Sequence, residues 1–249
     1  AGHCVTVFES AATLGGRARR VVVQKNNQTV VLDNGQHLLI GAYQHTLALL
    51  DFLQSYQQAA LPFLRRRPLQ LQMQSPTGTA LSLKTANLAA PWHLAVGLLR
   101  AKGLSWAERY ALIRAVRSLQ KTAFNLGVDC PVALWLTQQK QSPRLVQIFW
   151  EPLVLATLNT PIAEASMQVF ANVLRDGVCA SAAASDFCYP AQDLSRLLPE
   201  PAAAYIAEQG GQVQLNARVR QMQWQEGAWQ LVTQTGQVAH FDAVICALP

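Results

Sequence analysis

An apolar run, Val5-Thr6-Val7-Phe8, ends on an acid, Glu9, and a few residues later come Gly15-Gly16-Arg17. Each residue type suits one part of a nucleotide. A carboxylate at a strand end accepts hydrogen bonds from both hydroxyls of a ribose. Two glycines let the backbone approach a phosphate with no Cβ in the way, and a guanidinium offers that phosphate a forked pair of donors. Taken alone, Glu9 is equally well an exposed strand-end carboxylate. The glycine pair at this distance favours the ribose role and reads as the second strand and following loop of a dinucleotide-binding fold. Arg19 and Arg20 either extend the positive field or are surface charges. The glycine-rich loop that cradles the pyrophosphate in such folds is expected upstream of Gly2, so this chain by itself is expected to hold a dinucleotide weakly or not at all.

The elements that must position these residues follow from periodicity. Residues 5–8 read as a strand, and residues 20–23 and 28–32 as a hairpin turning at Lys25-Asn26-Asn27. Asp33-Asn34-Gly35 is a turn signal, and residues 44–58 have helical spacing. Leu69, Leu71 and Met73 alternate with glutamines, which marks a strand with one buried face; Ser75-Pro76-Thr77-Gly78 turns it into a partner at 79–83. A long helical zone follows, with Ser105 and Glu108 forming a capping box, and helical spacing resumes at 132–139, 143–156 and 164–174. Near the end come a helix at about 195–209, strands at 213–215, 219–224 and 229–233, and a buried strand at 243–247.

Strands at both ends and helices between them give an α/β chain, α+β overall. The layout is a partial Rossmann-like nucleotide domain (residues 1–60 and 190–249) interrupted by a largely helical substrate domain with one hairpin (residues 61–189).

Half of the 249 residues are hydrophobic and 14% are charged, which excludes disorder and permits one large or two modest cores. The net charge of +6 reads either as a solvated basic surface or as attraction to cofactor phosphates or anionic lipid head groups. Scattered Lys and Arg, with no aromatic-interleaved basic stripe, argue against nucleic acid. Cys4, Cys130, Cys179, Cys188 and Cys246 include no C-x-x-C pair. Cys4 and Cys246 fall in apolar strand patterns and are expected to be inert core thiols, and the set fits a reducing cytoplasm. No apolar run is long enough to span a bilayer and no signal peptide is evident. His3, His37, His45, His93 and His240 lie far apart in sequence, so no metal site is expected. A Gly-x-Ser-x-Gly elbow is also missing. Residues 91–102, apolar with an aromatic at one end and cations at the other, read either as a buried helix or as an interfacial anchor. Arg65-Arg66-Arg67 meets anionic lipid or is a solvated loop.

Val-Thr-Val-Phe-Glu followed by Leu14-Gly15-Gly16-Arg17-Ala18 resembles the flavin-containing amine oxidase and phytoene desaturase superfamily. The resemblance extends to Leu32-Asp33-Asn34-Gly35-Gln36-His37, to Ile40-Gly41-Ala42-Tyr43, and to Gly211, Val213, Leu215, Val219 and the run from Val244 to Pro249. It implies FAD as cofactor, with Glu9 on the adenosine ribose, Gly15, Gly16 and Arg17 near the pyrophosphate, and Gly35 and Gly41 close to the flavin ring. It further implies that Val219 meets the adenine through its backbone, and that Ala247 lies in a late strand against the cofactor. A closing segment is expected beyond Pro249.

Phe149-Trp150-Glu151-Pro152-Leu153, then Leu158-Asn159-Thr160-Pro161 and Ala165-Ser166, is similar to the squalene-associated FAD-dependent desaturases, also called hydroxysqualene dehydroxylases. This narrower resemblance implies reductive removal of a hydroxyl from a squalene-type isoprenoid with reduced FAD as the hydride donor; NAD(P)H is a candidate external reductant, and contact with the inner membrane face stays open with the two readings of residues 91–102. Loss of the hydroxyl needs a proton donor. His37 and Tyr43 are the candidates by location, each equally readable as a satisfied polar residue; Asp193 and Glu151 are weaker ones. A carotenoid desaturase, an amine oxidase and a non-catalytic lipid-binding module remain open. Oligomeric state is not readable from the sequence.

Overall fold

A computed structural model of the chain describes residues 2–35, 38–59, 62–75, 78–90 and 92–248. Helices and strands are mixed throughout. The chain forms two compact units: Ala1–His37, His45–Arg65 and Pro190–Pro249 make the first, and Leu38–Gln44 with Arg66–Tyr189 the second. It passes from the first to the second within the strand Leu64–Arg67 and returns at the end of the strand Phe187–Pro190.

In the first unit, Thr6–Phe8 pairs in parallel with Gln212–Gln214. The hairpin Arg19–Lys25/Gln28–Asn34 turns at Asn26 and Asn27, both at positive φ (51° and 61°), as a two-residue turn matching strand twist requires. Its base is fastened by Arg20, whose guanidinium contacts Asp193 at 3.3 Å and Glu200 at 2.6 Å. Asp33 accepts the Leu194 N–H at 2.9 Å. The helix Gln44–Tyr56 buries Leu47, Leu50 and Leu53. Phe52 and Tyr56 pack edge-on against Tyr205. A second sheet runs Val219–Gln225, Ala228–Thr233 and Val238–Phe241, antiparallel throughout.

Two expectations fail here for identifiable reasons. The helix expected at 195–209 is split into Leu194–Leu197 and Pro199–Glu208. Leu198 stands before Pro199, and the proline ring disfavours helical geometry in the residue preceding it; Pro199 then opens the next helix, where its missing N–H costs nothing. The strand expected at 243–247 is not formed. Among the described residues no strand pairs with that segment, and Ile245 and Leu248 are exposed, so apolar composition alone has no ladder to complete it. Cys246 is therefore exposed, and so is Cys4, which lies ahead of its strand. Of the five thiols it is Cys188 that is buried.

The second unit is built around one apolar cluster that includes Leu81, Leu112, Trp135, Trp150, Met167 and Phe170. The hairpin Gln70–Ser75/Gly78–Lys84 covers it in the register Leu71↔Leu83 and Met73↔Leu81. Helix Trp106–Lys121 starts at the Ser105–Glu108 capping box, with both reciprocal bonds formed. Burial pushes the Glu108 carboxyl up, but bonds from the Ser105 N–H, Arg144 and the Ser105 hydroxyl outweigh it and hold the group below its usual range. From Pro143 to Leu158 the helix widens at Val146–Trp150, where the Glu151 N–H reaches back five residues to Val146. Pro152, which has no N–H and would crowd a carbonyl one turn back, accounts for the wider turn. Trp150 is thereby buried, with Nε1 donating to Gln141 at 3.0 Å.

Two contacts in this unit are unusually demanding. Gly41 lies against the short helix Ala182–Ser185, and a Cβ on it would sit 1.8 Å from the Ala183 carbonyl oxygen. His93, on the helix Trp92–Arg100, is fully buried, and neither ring nitrogen has a hydrogen-bond partner among the described residues. Burial disfavours the protonated ring more strongly than the Val178 backbone favours it. Burial holds the ring's pKa below its usual value.

Gly41→Ala should cost roughly 2–3 kcal/mol of stability, the upper part of the overpacking range. Urea unfolding without any cofactor will read it, and a loss below about 0.5 kcal/mol, the ordinary surface range, contradicts this packing. The His93 imidazole is neutral when folded and takes up a proton near its ordinary value of 6.5 when unfolded. Stability is therefore full above that value and falls as the solution is acidified through it. The thermal midpoint should drop between pH 7 and pH 5 in the wild type and drop less in His93→Leu. Equal slopes contradict the assignment.

Candidate functional site

Parallel pairing sets the site. Strand Thr6–Phe8 ends at Glu9, whose backbone N–H donates to Gln214 at 2.9 Å and whose carbonyl accepts from Ala217 at 2.8 Å. The Asn216 N–H donates to Ala11 at 3.0 Å, so the chain leaving one strand is laced to the chain leaving the other. Beyond these strand ends opens a polar cavity of about 390 Å³, lined by Ser10, Asn216, Arg218, Gln234 and Thr235. A crevice past the carboxyl ends of parallel strands is where open α/β sheets bind ligands. The Glu9 carboxylate is half-buried; its Oε1 accepts from the Ala11 N–H at 2.7 Å and the Ser10 hydroxyl at 3.3 Å. Its Oε2 has no partner among the described residues and remains free to accept from a ligand.

Val219 follows the cavity-lining Arg218 in sequence, is not itself part of the lining, and pairs with Thr233, with an irregularity between Val219 and Gln221. Ser10, next to Glu9, and Arg218, next to Val219, thus line one cavity, although more than two hundred positions separate them in sequence.

The loop after Glu9 closes on itself. Gly15 has φ +101°, and a Cβ there would meet the Ala18 carbonyl at 2.9 Å and Pro199 at 3.1 Å, so a glycine is required for the turn alone. Gly16 faces open space at φ +55°. Arg19 folds back to donate to the Gly16 carbonyl at 3.0 Å, and Arg20 is held by its two carboxylates. Arg17 is exposed and, among the described residues, makes no ion pair. Of the three arginines it is the one left for a ligand. Gly35 ends the hairpin at φ +76°. Ala247 lies in the exposed segment after the last strand, outside the cavity lining.

Other expected residues have different surroundings. His37 lies outside the described residues. Gly41 and Tyr43 belong to the second unit, where packing on Ala183 already accounts for Gly41; Tyr43 is exposed. Asp193 caps the helix Leu194–Leu197 and pairs with Arg20, which commits it to structure. Glu151 opens the helix Glu151–Leu158 and makes no ion pair among the described residues. The residues 149–153 and 158–166 also find structural work: Trp150 is core, Asn159 caps its helix at φ 50°, and Ser166 caps the helix Met167–Val173. A second cavity of about 480 Å³ in the first unit, bordered by Phe63, Arg196 and Glu200, contains none of the expected residues. Asn216, Gln234 and Thr235 escape sequence reading because isolated polar residues at turns carry no spacing signal. His93 escapes it because a single histidine on an apolar helix looks like any core residue. Among the described residues no three His, Cys, Asp or Glu side chains gather as a metal would require, and no helix is long and apolar enough to cross a membrane.

The donor set fits the adenosine half of FAD: a Glu9 carboxylate oxygen with no partner among the described residues for the ribose, a polar cavity lined by its neighbour Ser10 and by Arg218 for the base, and an open glycine with a guanidinium that makes no ion pair among the described residues for the diphosphate. The chain is 24% identical over 265 residues to hydroxysqualene dehydroxylase of Zymomonas mobilis, covering all of this chain and 57% of that protein. Its fold matches an oxidoreductase from Methanosarcina mazei (TM-score 0.68, 14% identity, 97% of this chain and 52% of that one). It also matches putrescine oxidase bound to putrescine (TM-score 0.64, 14% identity, 100% and 53%). The chain therefore spans little more than half the length of these relatives. The sequence pattern of the flavin containing amine oxidoreductases matches residues 1–249. On that match, over its whole length, the chain belongs to the flavin containing amine oxidoreductase family.

Proposed function

We propose that the protein carrying this chain is an FAD-dependent oxidoreductase that reductively removes the hydroxyl of hydroxysqualene to give squalene. The observation that supports the cofactor is the cavity beside Glu9, with one carboxylate oxygen unsatisfied and the Asn216–Arg218 backbone opposite. The substrate reading rests on the likeness to hydroxysqualene dehydroxylase and on the motif residues between Phe149 and Ser166.

When bound and reduced, FAD supplies the hydride that replaces a carbon–oxygen bond by carbon–hydrogen, and a reductant of the NAD(P)H class restores it. The chain's own part is positioning and proton supply. Glu9 would fix the ribose through charge-assisted hydrogen bonds, stronger than neutral ones. Gly16 and Arg17 would hold the diphosphate. The departing hydroxyl must take up a proton to leave as water, and Tyr43 and His37 are the proposed donors.

Glu9→Gln should weaken FAD binding by roughly 10- to 100-fold, the value of a lost charged hydrogen bond at the ribose. Flavin fluorescence titration of the protein carrying this chain will measure it, and a change within about twofold, inside the spread of ordinary surface substitutions, removes Glu9 from the site. Turnover assays with hydroxysqualene, phytoene and simple amines test the substrate. Hydroxysqualene alone should be consumed, and Tyr43→Phe should lower kcat by at least about tenfold if Tyr43 is the donor. Consumption of phytoene without hydroxysqualene makes the protein a carotenoid desaturase. If none is consumed and flavin alters nothing, a lipid-binding module is the better reading.

A further inference from the structure

The formal charge of the chain is concentrated in one place. Residues 84–121 hold seven cations and one acid, a net +6 that equals the charge of the whole chain, and the rest carries thirteen of each sign. The single acid, Glu108, is neutralised by Arg144 at 2.7 Å. This segment contains the helices Trp92–Arg100 and Trp106–Lys121 of the second unit.

The outward faces of both helices are aromatic and cationic. On the longer one, Trp106, Tyr110, Arg114, Arg117 and Lys121 recur at spacings of four, four, three and four, which places them on one stripe. All five are exposed, Trp106 to 71% and Tyr110 to 66%, while Leu112, Ala115 and Leu119 face the core. On the shorter one, Trp92 (66% exposed) and Leu99 (51%) lie seven residues apart and share a face. The two stripes adjoin. Arg109 donates to the Leu99 carbonyl at 2.9 Å and to the Ala101 carbonyl at 2.6 Å, and its guanidinium lies 4.6 Å from the Trp106 ring centre. Leu99 and Trp106 are therefore held together by Arg109.

Two largely exposed indoles, an exposed phenol and an exposed leucine leave apolar surface in water that burial would stabilise, and the Arg109 contact covers only part of the Trp106 ring. Amphipathic rings are at home at the boundary between head groups and acyl chains, and basic residues beside them are attracted to anionic lipid. An acidic protein would satisfy the cations but offers no reason for Trp92 and Leu99 to protrude together. We propose that this face of the second unit docks on the surface of an anionic phospholipid bilayer, with Trp92, Leu99, Trp106 and Tyr110 entering the head-group layer and Arg117 and Lys121 held at the phosphates. The docking depends on neither flavin nor substrate.

The test uses the protein carrying this chain and vesicles of phosphatidylcholine with or without phosphatidylglycerol, read by flotation and by quenching of tryptophan emission with brominated acyl chains. Binding should require phosphatidylglycerol and weaken as salt is raised. The Arg117→Glu/Lys121→Glu variant should lower the partition coefficient by at least about tenfold. Trp92→Ser/Trp106→Ser should abolish the quenching, leaving the unfolding midpoint unchanged because both rings are exposed. Equal binding to neutral and anionic vesicles, undiminished quenching in the tryptophan variant, or no vesicle binding at low salt with retention on an acidic polypeptide each overturns the proposal.

Discussion

Everything at the candidate site depends on one parallel strand pair. Thr6–Phe8 and Gln212–Gln214 are short, and neither has a strong intrinsic claim to its conformation. Their pairing closes a loop of about two hundred residues, which carries a substantial entropic cost. The hydrogen bonds from Glu9 to Gln214, from Ala217 to Glu9 and from Asn216 to Ala11 extend the pairing past the strands proper. They oblige the chain to diverge at that point, and the cavity lies where it diverges. Gln214 and Ala217 meet Glu9 through this contact, which brings Asn216 and Arg218 to the cavity with Ser10, so the site is a consequence of topology rather than of any local motif.

A second constraint keeps the loop after Glu9 from wandering. Arg20 is held between Asp193 and Glu200, its backbone N–H donates to the Ser195 hydroxyl at 3.0 Å, and the Leu194 N–H donates to Asp33. The hairpin base, the two helices after residue 193 and the Gly15 turn against Pro199 become one rigid junction. Three arginines within four residues thus have three fates: one opposes two acids, one donates to the Gly16 carbonyl, and one is left in water beside an open glycine. Among the described residues, Arg17 is the loop cation with neither an ion pair nor a side-chain hydrogen bond.

Much of this architecture was legible. Alternation at Leu69–Met73, the Asn26-Asn27 turn and the Ser105–Glu108 box are local signals, and local physics decides them. The strand ending before Glu9 and the glycine turn after it were legible because strand, acid and turn are compressed into a few residues. What escaped depended on distant partners. The apolar residues 243–247 looked like a strand but have no neighbour to pair with among the described residues. Gly41 looked like a cofactor contact, yet its missing Cβ is already required by Ala183, more than a hundred residues on. The cavity's polar lining, Asn216, Gln234 and Thr235, lacks any spacing that would separate it from ordinary turns.

The central claim is that the crevice at the ends of these two strands receives the adenosine of FAD. The most direct test is an experimental structure of the protein with FAD bound, in which the position of the adenosine ribose is measured relative to Glu9. The account predicts a ribose hydroxyl within about 3 Å of the Glu9 carboxylate, as a hydrogen bond requires, with the adenine against the backbone at Arg218 and Val219. An adenosine seated elsewhere, for example in the cavity bordered by Phe63 and Arg196, with Glu9 still bonded only to Ser10 and Ala11, contradicts it.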